Sequence, residues 1–129
     1  MEMNPERLLS RRPLDNGLTL EFWDLSRPVA GDRVLVVVEM RVPVPLSAAP
    51  LPPDLRPQED RIIAALGETP VFTKQEVRNF VPAAEVPDLM RQLEEGLFFS
   101  LARYLGHPDF PGKFIRKKFA EYQEKRQWG

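Results

Sequence analysis

Few residues in this sequence could carry chemistry. His107 is the only histidine, and there is no cysteine. A lone histidine cannot build a histidine-rich metal site, and without thiols there is no thiolate nucleophile, disulfide or cysteine metal site. His107 precedes Pro108 in a break between two helical patterns, so it is expected to be a solvated turn residue rather than a proton-transfer group. The serines are Ser10, Ser26, Ser47 and Ser100. None sits in a Gly-x-Ser-x-Gly elbow, and no Gly-x-Gly-x-x-Gly or Walker loop occurs. The carboxylates offer Glu94-Glu95, read as the solvated side of a helix. They also offer Asp24 and Asp32, which flank a loop with Arg27 and Arg33. That loop reads as an ion-pair cage that braces it, with small-ligand binding or catalysis as the lesser reading. No catalytic residue, metal ligand or cofactor is expected, and the chain reads as non-enzymatic.

The charge pattern suggests a different chemistry. The net charge is −1, yet Lys113 to Arg126 holds six basic and two acidic residues, which leaves −5 for the rest. Lys113, Arg116 and Lys117, interleaved with Phe110, Phe114, Phe119 and Tyr122, could contact the phosphates and bases of nucleic acid. The plainer reading puts the aromatics in a core-facing stripe, with Lys118 snorkelling from it and the late basic residues suiting the helix dipole.

The elements that must position these residues follow from periodicity. Asn16-Gly17 lies between strand-like runs, Leu8–Leu14 and Leu18–Leu25, and predicts a two-residue type I′ hairpin. Ser26–Asp32 reads as a loop. Arg33–Val44 alternates strictly, with Val34, Val36, Val38, Met40, Val42 and Val44 on one face. Six prolines between Pro43 and Pro57 predict an extended connector. Its Pro50-Leu51-Pro52-Pro53 run resembles a polyproline ligand only superficially. Gln58–Leu66 reads as a short helix that Gly67 caps. Val71–Val81 reads as a strand, although Thr73 and Glu76 also match a capping box and keep a helical reading open. Pro87–Leu105 and Phe110–Gln127 carry amphipathic helical stripes. Strands first and helices last predict an α+β domain spanning 1–129: an antiparallel sheet of three or four strands, an N-terminal meander, with two C-terminal helices on one face.

Extending the type I′ turn outward pairs Arg12 with Glu21, Ser10 with Trp23 and Leu8 with Leu25. Keeping apolar sides together then pairs Phe22 with Val36 and Leu20 with Val38. The inner face receives Leu18, Leu20, Phe22 and the even positions of Arg33–Val44, and Arg11 awkwardly joins them. The outer face divides into a polar half (Arg12, Thr19, Glu21, Glu39) and an apolar half (Leu8, Trp23, Leu25, Leu35, Val37). An exposed apolar cluster usually marks a contact surface. The competing reading is that the Pro-rich connector or the short helix covers it. Trp23, Leu25, Leu35 and Val37 are therefore the candidate partner-binding residues, for an unknown protein or a second copy of the chain. Lys113, Arg116 and Lys117 carry the alternative, a nucleic-acid-binding accessory protein.

An apolar fraction of 43% and a charged fraction of 29% are ordinary for a globular chain. Met1–Glu6 shows no signal-peptide pattern, and the longest aliphatic run, Val34–Val38, is far short of a membrane span. A soluble cytoplasmic protein is expected. Asn16–Asp24 with Ser26–Arg33, Arg78–Val81 and His107–Pro111 resemble small bacterial proteins of unknown function. That resemblance implies a bacterial cytosolic origin and a strand at Val71–Val81, and no activity.

Overall fold

A computed structural model describes residues 6–47 and 51–128. The N-terminal stretch Met1–Pro5 and residues 48–50 of the connector lie outside the described residues. Among the described residues, five strands form one open antiparallel sheet: β1 (Arg7–Pro13), β2 (Thr19–Asp24), β3 (Arg27–Ala30), β4 (Arg33–Pro43) and β5 (Val71–Pro82). β2 and β3 follow one another along one edge of β4, and β5 pairs with its other edge. The sheet is thus a meander in which β1 and β5 are the outer strands beside β2 and β4, and β3 is open on the side away from β4. Three α-helices among the described residues, α1 (Glu59–Leu66), α2 (Val86–Leu105) and α3 (Phe110–Trp128), complete the α+β architecture. No helix among the described residues is long and apolar enough to cross a membrane.

The alternation in β4 does what period two requires. Val36, Val38, Met40, Val42 and Val44 are completely buried in one cluster with Leu20 and Phe22 of the sheet, Ile62 of α1, Leu93 and Leu97 of α2, and Phe110 and Ile115 of α3. The helices therefore share one face of the sheet. The strand reading of Val71–Val81 holds, and the capping-box pattern there is not used.

Two registers differ from those expected. In the first hairpin, Leu14 N–H donates to Leu18 O, and Gly17 N–H donates to Leu14 O. Gly17 alone in this turn has a positive φ, +88°. This is a three-residue loop, a type I turn followed by a glycine bulge, rather than a type I′ turn. The Asn16 side chain accounts for the choice: Oδ1 accepts from Leu18 N–H, while Nδ2 donates to the carbonyls of Leu105 and His107 at the end of α2. The hairpin thereby caps a helix. Gly106 permits the close approach, since a Cβ there would sit 3.2 Å from Asp15 N.

The extra loop residue slips β1 by one position, which exchanges its faces. Arg12 pairs with Leu20, Arg11 with Glu21 and Ser10 with Phe22. Arg12 is thus on the helix face and Arg11 on the outer one, the reverse of the expectation. A bulge between Leu8 and Ser10 returns Leu8 to the outer face, opposite Trp23. In the second hairpin, Phe22 pairs with Met40, not Val36. The expected loop Ser26–Asp32 is mostly strand β3, and the turn contracts to Gly31-Asp32. This shift is even, so the faces survive it. Pro28 is tolerated because β3 is flanked by β4 alone, so a missing N–H costs no ladder bond.

Arg12 consequently lies under α2. Its guanidinium bonds Glu94 (2.9 Å) and Glu95 (2.6 Å) and stands 4.5 Å from the Phe98 ring. Ser10 donates to Glu94 at 2.6 Å. The two glutamates are therefore ligands of a half-buried arginine: Glu94 is itself half-buried, while Glu95 stays on the solvated face, 61% exposed. Arg12→Ala is expected to cost about 2 kcal/mol, since it removes charge-assisted bonds and a cation–π contact. The hydrogen bond from Arg12 holds the Glu95 carboxyl below its ordinary value. A lowered folded pKa contributes stability that is complete above the unfolded carboxylate range and is lost as pH falls through the folded value. Urea titrations between about pH 5 and pH 3 should show wild type losing more stability than Arg12→Ala. Equal losses would mean that the pair contributes nothing.

Candidate interaction surface

The face of the sheet opposite the helices is built by odd positions of β4 and their neighbours. Trp23 pairs with Glu39, and Glu21 with Arg41. On β5, Val77 pairs with Val37 and Gln75 with Glu39. Side chains on these positions stand together because strand residues two apart share a face.

Its polar half is a continuous network. Arg11 lies 3.7 Å from Glu21, and Trp23 Nε1 donates to Glu21 Oε1 at 2.9 Å. The Arg41 guanidinium lies 4.7 Å from the Trp23 ring centroid. Arg41 also bonds Glu39 and, at 3.0 Å, Glu6. Gln75 donates to Glu39 at 2.9 Å. Hydrogen bonding to Glu6, supported by Glu39, raises the Arg41 pKa further, so its charge is permanent. The indole is thus clamped between a fixed cation and a fixed acceptor. An aromatic held in this way binds with little loss of side-chain entropy.

The apolar half is Leu8, Trp23, Leu25, Leu35 and Val37, with Val77 added from β5. Val37 is 9% exposed, whereas Val77 is 40% exposed, and Trp23, Leu25 and Leu35 are half-buried. None of these residues belongs to the core cluster or packs against it, whereas the buried residues of all three helices do. The sheet separates the two apolar sets.

The described part of the connector, a candidate cover for this face, lies on the other side. Leu51 and Leu55 are part of the helix-face core. Pro52 stands against Gly112, and Asp54 pairs with Arg116. Short helix α1 also contributes Ile62 to that core. Among the described residues, neither lies over Trp23.

The ion-pair cage expected around the β2–β4 loop does not form. Asp24 pairs with Arg7 at 3.1 Å and accepts from Ser26 N–H, while the Asp32 carboxylate, among the described residues, pairs only with its neighbour Arg33, at 3.8 Å. The tight Gly31-Asp32 turn leaves no loop for a cage to brace.

Lys113, Arg116 and Lys117 do share the exposed side of α3. Arg116, however, makes a two-pronged pair with Asp54 at 2.7 and 2.9 Å, and its hydrogen bonding holds the Asp54 carboxyl below its usual range. Lys118 pairs with Glu121 and lies 5.9 Å from the Phe114 ring, as a snorkelling lysine should. Lys113 borders a cavity of about 430 Å³ beside Arg103, Tyr104 and His107. His107 Nδ1 accepts from Asp109 N–H, a turn role. Among the described residues, no three histidine, aspartate or glutamate side chains are placed to hold a metal ion.

Two features of the surface escaped sequence reasoning. One is the Arg41–Trp23 stack, which needs the second hairpin's true register. The other is Phe80, 61% exposed with φ +58°, at a bulge in β5. Comparison with known proteins finds no matching family model, no similar curated protein and no similar solved structure.

Proposed function

We propose that this protein is a non-enzymatic protein-interaction module whose docking surface is the outer sheet face around Trp23, Leu25, Leu35 and Val37. The observation that carries this reading is the separation of that apolar row from the core, with every helix and the described part of the connector on the opposite face. A tryptophan stacked on an arginine at the centre of an apolar row is the composition found at interface hot spots. The surrounding network of Arg11, Glu21, Glu39 and Gln75 supplies the polar rim of such a patch.

Leu35→Glu places a charge in this row without touching the helix-face core. In cross-linking and capture from cells that express the native protein, the wild-type chain should retain a protein partner that Leu35→Glu loses, with the variant's thermal midpoint nearly unchanged. The same partners on both proteins would overturn the assignment of the surface. Nucleic acid retained equally by both would favour the basic helix instead.

A further inference from the structure

The two long edge strands of the sheet, β1 and β5, differ; β3, also open on one side, is only four residues long and carries Pro28 and a bulge. β1 is interrupted by its bulge at Leu8–Ser10 and ends at Pro13, devices that keep an edge from pairing with other chains. β5 pairs without interruption from Val71 to Arg78, and its only bulge lies beyond Arg78. Its far side meets no strand among the described residues.

The ladder shows which β5 groups are open. Val37 O accepts from Leu25 N–H, so odd positions of β4 face β2 and β3. Even positions face β5, and Val44 N–H and Leu46 N–H extend that ladder to the carbonyls of Pro70 and Glu68. In β5, Phe72, Lys74 and Glu76 therefore turn their backbone toward β4, while Thr73, Gln75 and Val77 turn theirs outward. The Val77 carbonyl is met by the guanidinium of its neighbour Arg78, at 2.8 Å. A carbonyl has two lone pairs, so it can accept a second bond.

The geometry points to a second copy of this chain as the occupant of that edge, with β5 pairing antiparallel to β5 about a two-fold axis through Gln75. Outward backbone must meet outward backbone, so the axis must pass through a residue position, and charge selects which one. An axis at Lys74 sets Lys74 against itself. An axis at Glu76 sets Glu76 against itself and Lys74 against Arg78. An axis at Val77 drives the ladder through the bulge where Phe80 has φ +58°. An axis at Gln75 sets each Lys74 beside the other copy's Glu76, and Thr73 exchanges backbone bonds with Val77. Opposite charges facing across strands stabilise a sheet, and like charges destabilise it.

Lys74 has no ion-pair partner among the described residues, and Glu76 pairs only with Arg78, at 3.2 Å. A two-fold axis normal to the sheet puts both α2 helices on the same side. The groove of about 400 Å³ between α2 and β5, lined by Lys74, Glu76, Gln92, Gly96 and Ser100, then faces its own copy. Edge pairing of this length makes a small interface, so the dimer is weak and concentration-dependent. The inference stands on the edge and does not depend on the outer-face reading.

Sedimentation velocity over a concentration series tests it, on wild type, Lys74→Glu, Glu76→Lys and the double swap. Wild type should dimerise, and each single swap should weaken association at least tenfold. An equimolar mixture of the two single variants should associate again. One variant then carries acids at both positions and the other carries bases at both, so opposite charges face each other across the axis. The double swap should behave as wild type. Thr73→Pro, at an outward N–H that the β4 ladder does not use, gives a second route: a folded, monomeric chain. A wild type that stays monomeric into the millimolar range would overturn the pairing, including the case in which the edge serves an extended peptide. Single swaps that associate like wild type, or a mixture no better than its components, would also overturn it. None of these outcomes involves the outer-face partner, so that reading stands or falls separately.

Discussion

Phe110→Ala is expected to lower the unfolding free energy by about 3–5 kcal/mol. Phe110 is 1% exposed and opens α3. Its ring meets Phe72 of β5 edge-on at 5.7 Å and Tyr104 of α2 edge-on at 5.4 Å, and stacks on Phe114 at 5.7 Å. One side chain thus joins the sheet to both long helices, just past the His107–Asp109 break. Truncation removes apolar burial, leaves a cavity and loses three favourable ring geometries. Tyr104 is 53% exposed, so the cavity lies near solvent and its walls can partly collapse, which argues for the lower half of the range. Urea denaturation with an unchanged m-value measures the loss directly. A loss below about 1 kcal/mol, the size of a surface substitution, would mean that α3 is not anchored at this corner.

Much of this fold could be read from periodicity, because a buried face imposes its period on the residues. The alternation in Arg33–Val44 and the stripes in the two long helices located β4, α2 and α3 to within a residue or two. Register was another matter. Asn16-Gly17 suits both a type I′ turn and a type I turn with a glycine bulge, and the choice rests on Asn16 reaching carbonyls at the end of α2, far away in sequence. That single slip moved Arg12 beneath α2 and made Glu94, now half-buried, and Glu95, still on the solvated face, its ligands. β3 was hidden by Pro28, which reads as a loop residue until the free edge beside it is known. The outer row kept its members because the second hairpin's error was even and the bulge at Leu8–Ser10 offset the first. What lies over that row was not readable locally: whether the connector crosses the sheet's outer face depends on where Leu51 and Leu55 bury.

Trp23→Ala carries the largest expected effect on function. Trp23 stacks on Arg41 and donates to Glu21, so it is a rigid aromatic at the centre of the proposed docking face. Hot-spot aromatics of this kind contribute about 2 kcal/mol or more, so affinity for the partner should fall by at least about thirtyfold. Folding should be much less affected. The variant loses one cation–π contact and one half-buried hydrogen bond, about 1–2 kcal/mol together.

The stability of Trp23→Ala, measured by urea denaturation beside wild type, is the most direct test of whether this face is a surface or a second core. A loss of about 1–2 kcal/mol, with the variant folded and its far-ultraviolet circular dichroism unchanged, is the predicted result. A loss of about 3–5 kcal/mol, the cost of emptying a closed core site, would show that the chain itself covers Trp23 and would contradict the assignment of the outer face to a partner.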